Sequence, residues 1–381
     1  MPPSPDTLAI VHVLRAPLGG LFRHVLDVAE GQSARGHRVG IVADSTTGGD
    51  MGTMLLDRIR PMLALGVTRF PMPRQIGFGD AVSIRRVAAV LRAQPLDVVH
   101  GHGSKGGAYG RLAAPRSAIT VYTPHGGSLH FRRTSPAGLI YDTIEWALAR
   151  RTDLFLFESE YARTMFRNRI DPGLALIRVA RNGLTTRDFD PVTVRPDATD
   201  LLFIGELRTI KGVDLLLDAL ADLREASLPL TATIVGDGPD REALKSQAAQ
   251  LGLGGAVRFL APMPAREAFG LGRIAVVPSR AESLPYIVLE LAAAGLPMIV
   301  TNVGGIAEIF GPQADRLIAS GDRAALGRAV ASAVNDPKTM ITAASVLRER
   351  VRREFSAERM VHDGLAAYRE AIAIRNSSSV A

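Results

Sequence analysis

The 381-residue sequence contains no cysteine. That excludes disulfides and thiolate metal sites, and fits a reducing compartment. Aromatic residues are scarce, with a single tryptophan, Trp146, so there is no aromatic platform on which nucleic-acid bases would stack. No apolar run approaches the roughly 20 residues that a spanning helix needs; the richest, Leu284 to Val300, is interrupted by Pro285, Glu290, Gly295 and Pro297. The start, Met1 to Asp6, is proline-rich and lacks the basic region of a signal peptide. Several catalytic templates are missing as well: there is no G-x-G-x-x-G after the first apolar run, no Walker A motif, no H-E-x-x-H and no G-x-S-x-G. Asp188-Phe189-Asp190 has metal-nucleotide spacing but follows no buried strand, and reads as a turn. The expectation is a protein that is soluble or rests on a membrane surface, without nucleic acid as a partner.

What is present suits two large cores. The length fits two domains, and 47% of residues are hydrophobic. The net charge of +7 is uneven: residues 1–190 hold 24 Lys and Arg against 16 Asp and Glu, whereas 191–381 hold 21 against 22. A basic half attracts an anionic partner such as a phosphorylated substrate or an anionic membrane, although such an imbalance also serves solubility alone.

Short apolar runs alternate with longer amphipathic stretches. Runs at 8–14, 39–43, 67–70, 98–100, 119–122, 154–157 and 176–179 predict buried strands, with helices between most of them. Continuous apolar strands alternating with helices imply a parallel sheet covered on both faces. The stretch 188–200, with two prolines and four aspartates, reads as a linker. The pattern then restarts, with strands at 201–204, 232–235, 257–259, 274–277 and 298–300, and ends in helical pattern over 324–374. Two doubly wound domains would hold ligands beyond the C-terminal ends of their strands, where the glycine pairs also fall.

The strongest motif runs from Glu282 to Glu290. Ser283 is expected to cap a helix and Pro285 to sit in its first turn. The backbone N–H groups at this helix start, around Ser283, Leu284 and Pro285, would suit a diphosphate, and Glu290, within an apolar run, could accept both hydroxyls of a ribose. Arg208 and Lys211, after the first strand of the second half, could neutralise a diphosphate leaving group. Gly236 and Gly238, in a strand–turn–helix context, permit close approach of a base or phosphate. In the first half, Gly19 and Gly20 precede a helix, and His125 stands between a strand end and Gly126-Gly127. His100 and His102 invite a metal reading, but no third ligand is near in sequence. Each motif has a purely structural alternative, as a turn or a charged helix end.

Taken together, Gly19-Gly20, Gly36-His37, His125-Gly126, Arg181-Asn182-Gly183, Lys211-Gly212, Gly236-Asp237-Gly238-Pro239, Glu282 to Glu290, and Gly304-Gly305 with Glu308 resemble the retaining GT-B glycosyltransferases of family 4, in the family's order and over nearly the whole chain. The resemblance implies an α/β fold of GT-B type, with two Rossmann-like doubly wound domains facing across a cleft: an acceptor-binding domain at 1–187, a linker at 188–200, a nucleotide-sugar-binding domain at 201–360, and a C-terminal helix, 361–381, crossing back. It implies a metal-independent, retaining hexosyltransferase with a nucleotide-diphosphate sugar as donor substrate and no cofactor. Glu290 would bind ribose, the backbone at Ser283, Leu284 and Pro285 the diphosphate, and Lys211 its charge. Glu282 and His125 would meet the donor sugar, and Gly20 the phosphates. The sequence departs from the family at Glu206, where arginine is usual; Arg208 is the candidate to reach the same phosphates. The expected acceptor is a lipid-linked or polysaccharide glycan intermediate or another hydroxyl compound, held by Lys105, Arg111, Arg132, Arg133, Arg150 and Arg151 at the inner face of a bacterial cytoplasmic membrane. A nucleotide-sugar epimerase of similar fold and a catalytically silent nucleotide-sugar-binding subunit remain alternatives.

Overall fold

The computed structural model describes residues 6–126 and 136–378. The chain divides into two compact units, residues 1–183 with 357–381, and residues 184–356.

In the first unit, strands β1 (Ala9–Leu14), β2 (Arg38–Asp44), β3 (Gly66–Phe70), β4 (Val98–His102), β5 (Ile119–Thr123), β6 (Leu154–Phe157) and β7 (Leu176–Val179) form one parallel sheet in the order β3-β2-β1-β4-β5-β6-β7. Helices α1 (Gly19–Ala34), α2 (Gly49–Ile59), α3 (Phe78–Arg92), α4 (Gly103–Ala113), α5 (Pro136–Ala149) and α6 (Glu160–Arg167) make the crossovers. The order reverses between β1 and β4, and a doubly wound sheet opens its ligand crevice at such a reversal. Helix α1 shows why it lies where it does: Phe22, Val25, Leu26, Ala29 and Gln32 recur at helical spacing and are all buried.

The second unit repeats the plan. Strands β8 (Thr199–Ile204), β9 (Ala232–Val235), β10 (Val257–Leu260), β11 (Gly272–Val277) and β12 (Met298–Val300) are parallel in the order β10-β9-β8-β11-β12. Around them lie α7 (Val213–Glu225), α8 (Arg241–Gln250), α9 (Ala265–Phe269), α10 (Tyr286–Ala294), α11 (Ile306–Phe310), α12 (Arg323–Asn335) and α13 (Pro337–Glu354). Here the order reverses between β8 and β11. The final helix, α14 (Ala357–Ser378), packs on α1 and on β5, β6 and β7 of the first unit.

Two boundaries differ from the sequence expectation. The passage between units falls after Gly183, and 188–200 belongs to the second unit. Its acidic, proline-bearing composition conceals an anchor: the Arg266 guanidinium donates to the carbonyls of Asp188 and Asp190, both at 2.7 Å. The Asp188–Asp190 turn is accordingly a short 3-10 segment, Thr186–Phe189, closed by Asp188 on Thr185.

Candidate active site

In the second unit the loops after β8 and β11 leave adjacent strands at the sheet's reversal, and their side chains meet. Lys211 Nζ lies 2.6 Å from Glu282 Oε1, and Ser279 Oγ donates to the same oxygen at 2.7 Å. Glu282 is nearly buried, while a quarter of the Lys211 side chain faces solvent, so the ammonium is both held and reachable. The backbone beneath them is in direct contact. Gly212 has φ +71°, and any Cβ there would run into the Pro278 carbonyl; Gly236, φ +150°, would likewise meet the Gly205 carbonyl. Gly238 lies against the Leu207 backbone, where Leu207 N–H donates to the Asp237 carbonyl at 2.8 Å. The loops after β8, β9 and β11 therefore form one close-packed floor.

The helix that follows begins later than the sequence suggests. Pro285 is extended (φ −72°, ψ 124°), and α10 starts at Tyr286. The N-cap position thus falls on Pro285 rather than on Ser283; Ser283 lies in a bend whose carbonyl accepts the Gly305 N–H at 2.6 Å, beside the Gly304-Gly305 turn. Glu290 is half-buried within α10. Arg208 is half-exposed and pairs with Glu206 at 3.6 Å.

In the first unit the β1–β4–β5 register gathers polar side chains on one sheet face. His12 lies opposite His100, Leu14 opposite His102, and His102 opposite Thr123. Five imidazoles collect here, those of His12, His24, His100, His102 and His125. His12 Nδ1 lies 2.9 Å from His102 Nε2, and His102 Nδ1 lies 3.1 Å from His125 Nε2. His12 Nε2 meets Gln32 Oε1 at 2.9 Å, and His24 Nδ1 meets Asn182 Oδ1 at 2.9 Å. Burial pushes His12 and His24 down to about 4; His24 also feels His12. Burial and neighbouring imidazoles hold His100, His102 and His125 well below 6.5. The cluster is therefore neutral near pH 7. His125 also has φ +51°, a left-handed backbone unusual for a side-chain-bearing residue and most often tolerated at functional positions. The fold supplies the third nitrogens that sequence spacing lacked: His12/His100/His102 and His24/His102/His125 each bring three ligand atoms within 4.8 Å of one another.

Two family models divide the chain between them. One, described as glycosyl transferase 4-like domain, matches residues 19–183; the other, glycosyl transferases group 1, matches residues 185–351. The chain is a GT-B glycosyltransferase of the family 4 type. A glycogen synthase of Mycobacterium tuberculosis is 28% identical over 374 residues, covering 89% of this chain and 88% of that one. A D-inositol 3-phosphate glycosyltransferase of Acidothermus cellulolyticus is 26% identical, covering 99% and 93%. Among solved structures, a sucrose-phosphate synthase from Thermosynechococcus elongatus superposes with a TM-score of 0.81 at 20% identity, over 96% of this chain and 100% of that one. Anabaena HepE, solved in complex with UDP, gives 0.70 at 19%, over 98% and 100%.

In this glycosyltransferase Arg208, Lys211, Gly236, Gly238 and Glu282 fall in the loops after β8, β9 and β11, with Lys211 and Glu282 in contact, and Glu290 lies within α10. Gly20 sits exposed in the first turn of α1, which already begins at Gly19. The basic residues proposed for the acceptor scatter. Arg111 is removed from that role: its guanidinium is wholly buried, pairs with Glu145 at 2.8 Å and stacks 3.9 Å over Tyr122. Lys105 is largely covered and bonded to Asp80 at 2.6 Å. Arg150 stacks over half-exposed Trp146, and Arg151 is exposed. Arg132 and Arg133 lie outside the described residues. Sequence reasoning missed His24 and Gln32, and quoted Asn182 within the Arg181-Asn182-Gly183 motif without a role. A signal existed: His24 and Gln32 stand eight residues apart on the apolar stripe of α1, and His12 interrupts an otherwise apolar strand.

Proposed function

We propose that this glycosyltransferase moves a hexosyl group from a nucleoside-diphosphate donor to an acceptor hydroxyl with retention of anomeric configuration and without a metal. The observation that carries the reading is the Lys211–Glu282 pair at the reversal of the second sheet, just ahead of α10. Lys211, with Arg208 and the backbone N–H groups around 283–286, would take the charge of the departing diphosphate, as preorganised donors do where charge develops. The acceptor hydroxyl enters on the face the diphosphate leaves, and its proton passes to the leaving phosphate oxygen. Glu290 takes the ribose hydroxyls, and Gly236 and Gly238 the base or phosphates. In the first unit, His125 and Gly20 are the groups proposed to meet substrate. A UDP-bound structural neighbour supports a nucleotide-sugar donor.

The acceptor is proposed to be a lipid-linked or polysaccharide glycan intermediate, met at the inner membrane face. Helix α5 supports this with exposed Leu139, Ile140 and Trp146 beside Arg150 and Arg151, the mixture of apolar and basic groups that suits an anionic interface. No helix among the described residues is long and apolar enough to cross a membrane. Co-sedimentation stronger with anionic than with zwitterionic vesicles is the expected result; equal binding to both ends the membrane proposal. The reaction itself is tested with UDP-glucose, GDP-mannose and ADP-glucose in the presence of chelator, following the anomeric proton of the first product formed. Retention is expected; inversion, or turnover that needs an added divalent ion, refutes the mechanism. Donor consumed into an isomeric nucleotide sugar with no acceptor would favour an epimerase instead.

A further inference from the structure

We infer that Gln32, acting through His12 and His102, fixes His125 as its Nε2–H tautomer and leaves Nδ1 as a bare acceptor aimed at substrate. The inference rests on the proposed contact between His125 and a substrate hydroxyl, but the proton assignment itself follows from hydrogen-bond bookkeeping.

The starting point is a carbonyl, which can only accept. Thr123 Oγ1 lies 2.6 Å from the Leu156 carbonyl, so the single hydroxyl proton of Thr123 is used there. His100 Nε2, 2.8 Å from Thr123 Oγ1, must then be the donor in that pair. A neutral imidazole carries one N–H, so His100 Nδ1 is bare and accepts the Tyr368 hydroxyl proton at 2.7 Å. With that proton spent, Tyr368 Oη can only accept from Gln32 Nε2, at 3.5 Å. This fixes the amide orientation, which coordinates alone would leave to assignment. Gln32 Oε1 is therefore the group facing His12, and His12 Nε2 donates to it at 2.9 Å.

From Gln32 the constraint passes outward. His12 Nδ1 is bare and accepts from His102 Nε2–H at 2.9 Å; His102 Nδ1 is bare and accepts from His125 Nε2–H at 3.1 Å. His125 Nδ1 is left without a proton and bonds to no described residue. The opposite direction fails at its last link, because Thr123 would need a second hydroxyl proton. Neutrality of the imidazoles, which the arithmetic requires, agrees with their burial. Both triads near enough to hold a cation include His102, whose two nitrogens are already hydrogen-bonded to His12 and His125, so a bound cation would have to break this chain. Gln32, His12 and His102 are positioning residues: they touch no substrate and decide which nitrogen His125 presents.

The test is a long-range proton–nitrogen correlation spectrum of histidine-labelled full-length protein near neutral pH, with chelator, each ring assigned by single substitution. The expected pattern is Nε2–H with bare Nδ1 for His12, His100, His102 and His125. His125 found as Nδ1–H, or as imidazolium, overturns the inference. Gln32→Leu should raise the Nδ1–H form of His125 and lower kcat on the order of fivefold, the scale of one lost hydrogen bond, with nucleoside-diphosphate affinity unchanged. An unaltered His125 tautomer in folded Gln32→Leu also overturns it. Should that variant not fold, the spectrum of the unsubstituted chain still decides. Wild-type turnover in His125→Ala would instead refute contact between His125 and substrate, leaving the tautomer assignment standing.

Discussion

Mild acidification should destabilise the first unit through its buried imidazoles. His12 and His24 are buried, and burial lowers each from 6.5 to about 4. In the unfolded chain both return to ordinary values, so as pH falls below about 6.5 the unfolded state binds protons that the folded state refuses. Stability from these groups is fully present above the unfolded value and is lost as pH falls toward the folded one. Between about pH 7 and pH 5, each imidazole costs about 2 kcal/mol, and the pair about 4 kcal/mol. His37, His100, His102 and His125 are lowered too and push the same way. Asp44 and Asp80 are held below 3.8, so their contributions fall outside this window. A domain stability of about 5–15 kcal/mol makes such a loss easy to measure. Calorimetry and urea titration across this range should show the transition of the first unit moving down while that of the second, which holds no histidine, stays nearly still. A first-unit stability constant to within about 1 kcal/mol would refute a neutral, buried cluster.

Three further outcomes follow from single contacts. Lys211→Ala should cut kcat by about 10²–10³-fold with the melting temperature nearly kept; wild-type turnover in the folded variant would contradict its charge-neutralising role. Gly212→Ala forces a Cβ against the Pro278 carbonyl at a left-handed backbone position, so urea unfolding of the second unit should show a loss of about 2–4 kcal/mol. Glu145→Leu strands the buried Arg111 guanidinium and should cost about 3–5 kcal/mol; adding Arg111→Met should recover most of it, and no recovery would mean the pair matters through packing rather than charge.

The sheets were legible because parallel strands buried on both faces are written as near-continuous apolar runs, as in Leu154–Phe157 and, but for His12, Ala9–Leu14. The glycine turns after β8, β9 and β12 were legible for a similar reason: Gly212, Gly236 and Gly304 each take a backbone that few other residues adopt. Less local features were not. Ser283 looks like a helix cap, but α10 begins at Tyr286 with Pro285 at the N-cap position, and the Ser283 carbonyl is tied to the distant Gly305 N–H. Arg111 looks like a surface cation until Glu145, on another helix, is brought beside it. The histidine chain draws on β1, α1, β4, β5 and α14, and no two of its hydrogen-bonded neighbours are close in sequence. The family resemblance, resting on motifs spread along both halves, agrees with the matched models over 19–183 and 185–351.

The central claim is that the second unit is a nucleotide-sugar site built around Lys211, Glu282 and Glu290. Isothermal calorimetry of UDP, GDP and ADP against the protein, with and without chelator, tests it most directly. The account predicts selective binding of one nucleotide, unaffected by chelator and weakened at least about tenfold in Glu290→Ala, the loss expected when hydrogen bonds to a charged group are removed. Binding that vanishes with chelator, or that Glu290→Ala leaves intact, would contradict it.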